Sequence, residues 1–186
     1  AFCDINFQRE KNYKITCSGE DLELNIDVRS SKIANVFFSK IKMPKNISIQ
    51  TVKLELQKSE IIEICEVIFQ GIVHFIIELN TDKKVINRIR DYCEKKKYSA
   101  FGVMFFNYKT MHMKPYVEVQ GFNGVWENSC GSGTTAVGYY LKKYKNIDFA
   151  KIIQPGGWLE VSHENNEVFI DGPVEIVAEG TSYINI

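Results

Sequence analysis

Period-two alternation of apolar and polar residues is the feature that most restricts the fold of this chain. In the run 21–28, Leu22, Leu24, Ile26 and Val28 fall on one face, with Glu23, Asn25 and Asp27 on the other. That is the signature of a strand buried on one side and wet on the other. "IANVFFSKI" (33–41) reads as the next strand and stops at Met43-Pro44-Lys45, because proline cannot donate to a ladder. "IIEICEVIF" and "IVHFIIEL" flank Gln70-Gly71, a turn pair. "FGVMFFN", "YVEVQ", "KIIQ", "WLEVS", "VFI" and "VEIVAE" add further strands, with turns expected at Pro155-Gly156-Gly157 and Asp171-Gly172-Pro173.

Only two segments leave this period. Over 81–98, Val85, Ile86, Ile89, Tyr92 and Cys93 share one stripe, and Thr81 or Asp82 can cap the start of a helix. A second helix is expected from Thr134 to about Lys145. The pattern predicts an α+β fold, a mostly antiparallel sheet with about two helices.

At 186 residues the chain can hold one generous domain or two small ones. Lys+Arg and Asp+Glu are equal at 23 each, which argues against nucleic acid or an anionic membrane as partner, since both favour a basic face. The apolar runs are strand-length and interrupted by Glu63, Glu66, Gln70 and Glu78, so no transmembrane span is expected. "AFCDINFQRE" has neither a basic n-region nor an apolar h-region and lacks an initiating Met. No signal peptide is expected, and a partial or processed polypeptide is. The five cysteines Cys3, Cys17, Cys65, Cys93 and Cys130 are odd in number and show no CxxC spacing. Neither a disulfide framework nor a metal site is expected, and a reducing cytoplasm fits.

One stretch cannot be core filler. "ENSCGSGTTAVG" (127–138) has almost nothing large to bury and runs into a helix. Free backbone N–H groups at a helix start favour an anion, Gly131 and Gly133 allow close approach, and Ser132, Thr134 and Thr135 add hydroxyl donors. A thiol at that entrance should have its pKa lowered by the same field. A tight turn around a small buried cysteine is the plain alternative. A tyrosine-phosphatase loop would need arginine where Ala136 stands, and a Walker loop its Gly-Lys-Ser/Thr ending. "GSGTTA" matches a loose dinucleotide fingerprint, yet the following strand, "KIIQ", ends in Pro155-Gly156-Gly157 rather than an acidic residue.

"WENSCGSGTTAVG", "QPGGWLEV" and "VFIDGPVEIVAEG", in that order, resemble the carboxy-terminal half of the diaminopimelate epimerase family. The resemblance runs from about Tyr13 to Gly180, and "VWENSCGSGT" is most similar to the histidine racemases that supply D-histidine for staphylopine-type metallophores. It implies a mostly antiparallel sheet wrapped around a central helix. Residues 1–45 with 175–186 would be the remnant of one domain and 46–174 a second, with the active cleft between them. It further implies a small amino acid as substrate, inverted by two cysteines without pyridoxal phosphate or any other cofactor, and it leaves room for a homodimer. Cys130 is then one acid/base. Gly131, Ser132, Gly133 and Thr134 cradle the α-carboxylate, with Asn128 beside them. Glu127 holds the amino group or supports the thiol, and His74 matches the family histidine.

Three departures stand out. Ile72-Val73 replaces the Asn-Pro before the histidine, and Gly121-Phe122-Asn123-Gly124 replaces an acidic-arginine-glycine motif. Both make diaminopimelate a poorer substrate than histidine. The "CGN" of the first catalytic cysteine does not occur in the chain, so the second base is expected on a missing amino-terminal half. Cys17, Cys65 and Cys93 read as core thiols, His112 as a loop or surface residue, and His163 as the neighbour of a hairpin turn. Trp126 could pack under the site or against a substrate ring. A cysteine acyl transferase and a non-catalytic amino-acid-binding module are the rival readings.

Overall fold

A computed structural model describes residues 12–16, 23–30, 37–57, 60–78 and 82–174. The chain forms two compact units, Ala1–Ile41 with Asp171–Ile186, and Lys42–Ile170. In the first, β1 (Asn12–Thr16), β2 (Glu23–Ser30) and β3 (Phe37–Met43) form an antiparallel meander. Tyr13 lies opposite Ile26 and Ile15 opposite Leu24, the register that the alternation in "DLELNIDV" predicts. The expectations about Cys3, Cys17 and the strand 174–179 fall largely outside the described residues.

The second unit carries β4 (Ser48–Gln57), β5 (Glu60–Phe69), β6 (Ile72–Ile77), β7 (Ala100–Asn107), β8 (His112–Val119), β9 (Val125–Trp126), β10 (Phe149–Gln154) and β11 (Gly157–Glu164). β12 (Glu167–Val174) begins in it. Strand order from β11 is β11-β10-β8-β7-β6-β5-β4, with the short β9 on β8. Pairing is antiparallel except for β6 with β7 and β8 with β10. Parallel neighbours need a crossover, and each of these has a helix in its connection: α1 (Lys83–Lys96) before β7, α2 (Gly131–Tyr140) before β10.

The two sheet faces differ. Val73, Phe75 and Ile77 of β6 and Phe101, Val103 and Phe105 of β7 pack with Val85, Ile86, Ile89 and Cys93 of α1. Asp82 caps that helix by accepting the Lys84 N–H at 2.7 Å. The alternate residues, His74 and Ile76 of β6 and Met104 and Phe106 of β7, are also buried. Phe106 meets Tyr140 of α2 edge-on, with ring centroids 6.4 Å apart.

From Gly133 to Gly138 every residue of α2 is buried. A helix buried all round needs no amphipathic stripe, and its small residues let it lie close to the strands. A Cβ at Gly138 would stand 2.4 Å from Val161 Cγ2. Among the described residues no helix is long and apolar enough to cross a membrane.

The structure departs from the sequence expectations along α2 and β12. α2 starts at Gly131 rather than Thr134, because the Cys130 side chain supplies the N-cap. Its last turn, Leu141–Lys145, widens to a π-turn that ends at Asn146 with φ 55°. β12 continues through Asp171-Gly172-Pro173 where a turn was expected. His112, expected in a loop or on the surface, is exposed as the first residue of β8.

Candidate active site

Glu127 follows directly on β9, its N–H donating to Pro115 O at 3.0 Å. One residue on, Asn128 O accepts the Gly156 N–H at 2.7 Å, so the turn after β10 braces the loop leading to Cys130. Cys130 has an extended backbone (φ −134°, ψ 107°), and its Sγ accepts the Gly133 N–H at 3.4 Å. The residue is buried, 6% exposed. Ser132 Oγ lies 3.7 Å from Sγ and 3.0 Å from His74 Nε2. The Glu127 carboxyl also acts on the thiol, raising its pKa, while its Oε2 is buried with no hydrogen-bond partner.

Burial pushes the Cys130 thiol up to about 11, and Glu127 raises it further, against the lowering pull of the Gly133 N–H and Ser132. This corrects the expectation that the helix start would lower it. The field of the first turn is present, but desolvation and a neighbouring carboxylate outweigh it. Cys130 therefore rests as a thiol at neutral pH.

His74 is fully buried, and burial alone pushes it down to about 4, so it is neutral. Its Nδ1 has no partner and faces Gly102, its pairing neighbour on β7. A buried N–H without an acceptor is rarer than an unused lone pair, so the ring proton belongs on Nε2, donating to Ser132. The Ser132 hydroxyl is then free to donate to Cys130 Sγ. A Cβ at Gly102 would stand 2.3 Å from His74 Nδ1 and 2.8 Å from Met104 Cε. Gly102→Ala should therefore cost about 1–3 kcal/mol, read as a lower urea midpoint at unchanged m-value.

Cys130, Glu127, Ser132 and His74 thus converge, with Gly131 and Gly133 in the same turn. The N–H groups of Gly131 and Ser132 have no partner among the described residues, whereas that of Gly133 is used by Sγ. Thr134 is differently placed. It is fully buried, its N–H and its hydroxyl both donate to Cys130 O, at 2.9 and 2.7 Å, and its Oγ1 accepts Gln154 Nε2 at 3.0 Å. Asn128 is exposed.

Trp126 packs with Phe105 (5.8 Å between ring centroids) and Tyr116 (5.2 Å), with Lys114 Nζ 4.5 Å from its ring. Phe105 and Tyr116 belong to the core beneath α1, so Trp126 lies on the sheet face away from His74. His112 is exposed beside Thr110 O, and His163 packs edge-on against Tyr139. Cys65 and Cys93 are buried free thiols held up at about 12 by desolvation. Gln154 is the site residue that residue-type reasoning passed over. Its signal was the "QPGG" string, which carried no role.

Sheet order, buried helix and capped cysteine together define an epimerase-like α+β protein. A predicted epimerase from Pseudomonas aeruginosa shares the fold at TM-score 0.58 and 10% identity, over 92% of this chain and 68% of that one. A phenazine biosynthesis protein of the PhzF family from Enterococcus faecalis matches at TM-score 0.58 and 16% identity, over 98% and 70%. The family model described as "Histidine racemase CntK N-terminal domain" matches residues 3–183, and the chain belongs to the histidine racemase family. A curated histidine racemase of Fusobacterium nucleatum subsp. nucleatum is 50% identical over 190 aligned positions, 99% of this chain and 70% of the relative. One from Staphylococcus aureus is 31% identical over 138 positions, 64% of this chain and 48% of the relative.

Proposed function

We propose that this chain inverts the α-carbon of histidine, with Cys130 exchanging a proton on one face of that carbon. The observation that carries the reading is the setting of the thiol. On one side is Glu127, an acceptor for S–H. On the other are the Gly133 N–H and Ser132, donors for S⁻. A group that must alternate between acid and base needs both states solvated in place. As a resting thiol, Cys130 gives its proton to the carbanion. The thiolate that forms takes the Gly133 and Ser132 donors, and His74 orients the serine. In the opposite direction that thiolate removes the α-proton.

The N–H groups of Gly131 and Ser132, without a partner among the described residues, suit the substrate carboxylate, which gains charge as the α-proton leaves. Glu127 Oε2, buried and unpaired, suits the ammonium. Thr134 acts behind the thiol. Histidine as substrate is supported by the relatives at 50% identity. The cysteine on the opposite face belongs, in this reading, to polypeptide that the longer relatives have in addition. Residues 1–45 with 175–186 are assigned to one epimerase-like domain and 46–174 to the other.

An acyl transferase would need an imidazole within reach of the nucleophile, and His74 is one hydroxyl removed from Sγ. The natural polypeptide incubated with L-histidine should yield D-histidine, separable by chiral chromatography, without burst acylation by activated esters. Recovery of L-histidine alone would overturn the reading. Ser132→Ala removes one thiolate donor and the link to His74. It should lower the turnover number about tenfold and shift the alkylation profile of Cys130 to higher pH.

A further inference from the structure

Gln154 closes a hydrogen-bonded ring around the Cys130 backbone. The Cys130 N–H donates to Gln154 Oε1 at 2.8 Å, Gln154 Nε2 donates to Thr134 Oγ1 at 3.0 Å, and the Thr134 hydroxyl donates to Cys130 O at 2.7 Å. Each donor in the ring meets an acceptor, and this fixes the amide orientation, since only Oε1 can face a peptide N–H. Gln154 is 5% exposed and is the last residue of β10. Two residues on, Gly156 donates to Asn128 O at 2.7 Å. A Cβ on Gly156 would stand 3.0 Å from Asn128 Cβ, so the turn lies tight against the loop. The end of β10 therefore grips the segment Asn128–Cys130 at both of its ends.

The ring holds the N–H before the Cys130 Cα and the C=O after it. Those two peptide groups set the direction of the Cα–Cβ bond. The thiol has to point back over the first turn of α2 to meet the Gly133 N–H at 3.4 Å and Ser132 Oγ at 3.7 Å. We infer that Gln154 is a positioning residue, a carboxamide that touches no substrate and aims the Cys130 thiol by clamping its backbone from both sides. The side chain must accept and donate at once and reach across both partners. Methionine has the reach and neither function, and glutamate has the acceptor alone.

The proposal rests on the racemase reading for its activity readout only. The test uses Gln154→Met and, as a second variant that cuts the same ring elsewhere, Thr134→Val, both in the natural polypeptide. The first readout is the pH midpoint of Cys130 alkylation by iodoacetamide without substrate. The second is kcat and KM for exchange of the histidine α-proton. The titratable groups facing the thiol among the described residues are Glu127 and His74, and neither hydrogen-bonds Gln154. Misaiming by a fraction of an ångström should cost kcat about tenfold or more, with KM changed by less than about threefold. As the thiolate loses its Gly133 and Ser132 donors, the alkylation midpoint should rise by about half a pH unit or more.

Folded variants with the parental kcat and midpoint would overturn the inference. So would activity lost only in proportion to unfolded protein, at an unchanged midpoint, which is what a merely structural role gives. If the parent exchanges no α-proton, the racemase reading falls, and the substrate-free alkylation midpoint alone decides for or against Gln154.

Discussion

Cys130→Ser should lower the rate of histidine racemisation by about a thousandfold, within the range of a lost acid–base group, while the protein stays folded. Serine is smaller than cysteine and is itself a favoured N-cap, so the contact with the Gly133 N–H and the start of α2 survive. The change in stability should stay within about 1 kcal/mol. What is lost is a group that can give up a proton and take it back beside a carbanion. Parallel measurement of kcat/KM and of the thermal midpoint separates the two effects. A serine variant with more than a tenth of the parental activity would mean that Cys130 does not move the proton.

Glu127→Gln should be the next most damaging change, about a hundredfold on kcat/KM. The variant keeps the shape and removes the charge, so the substrate ammonium loses its counter-ion and KM should rise. The sign of the effect on the thiol is opposite to that of a simple loss. Glu127 raises the Cys130 pKa, so the variant should alkylate at lower pH than the parent. A faster-reacting but poorly catalytic cysteine is the expected signature. A variant slow in both assays would contradict the role given to Glu127.

Acid should weaken the fold through His74. Its pKa is about 4 in the folded chain and about 6.5 when unfolded, so the unfolded state binds more protons as pH falls below 6.5. The stability contributed by keeping the ring neutral is complete above pH 6.5 and is shed progressively down to about 4. The full amount is on the order of 3 kcal/mol. Urea midpoints at pH 7 and pH 5 should differ less in His74→Gln than in the parent.

Much of this was legible in the residues because strands and amphipathic helices obey short periods. Leu24, Ile26 and Val28 alternate with polar residues in β2, and the stripe Val85, Ile86, Ile89, Tyr92 and Cys93 marks α1, so both elements could be read directly. β4 was not read because its first half, Ser48 to Lys53, carries Ser, Gln, Thr and Lys, and the alternation becomes regular only from Val52 to Leu56. β9, at two residues, has no period to detect. The start of α2 was set late because a helix buried on all sides has no stripe, and its cap is a cysteine, outside the usual Ser, Thr, Asp and Asn.

The thiol at position 130 was evident, but its protonation was not. The helix start that lowers a pKa is a local signal. The desolvation that raises it comes from strands far along the chain, and Gln154 reaches Cys130 from 24 residues away. His74 and Ser132, 58 residues apart, meet only because α2 lies against β6.

The central claim is proton exchange at an amino-acid α-carbon, and deuterium reports it directly. The natural polypeptide in D2O with L-histidine should wash out the α-proton NMR signal, alongside a panel of other L-amino acids and diaminopimelate that keep theirs. Retention of the α-proton in every one of these would contradict the racemase and leave the buried thiol as part of a binding site.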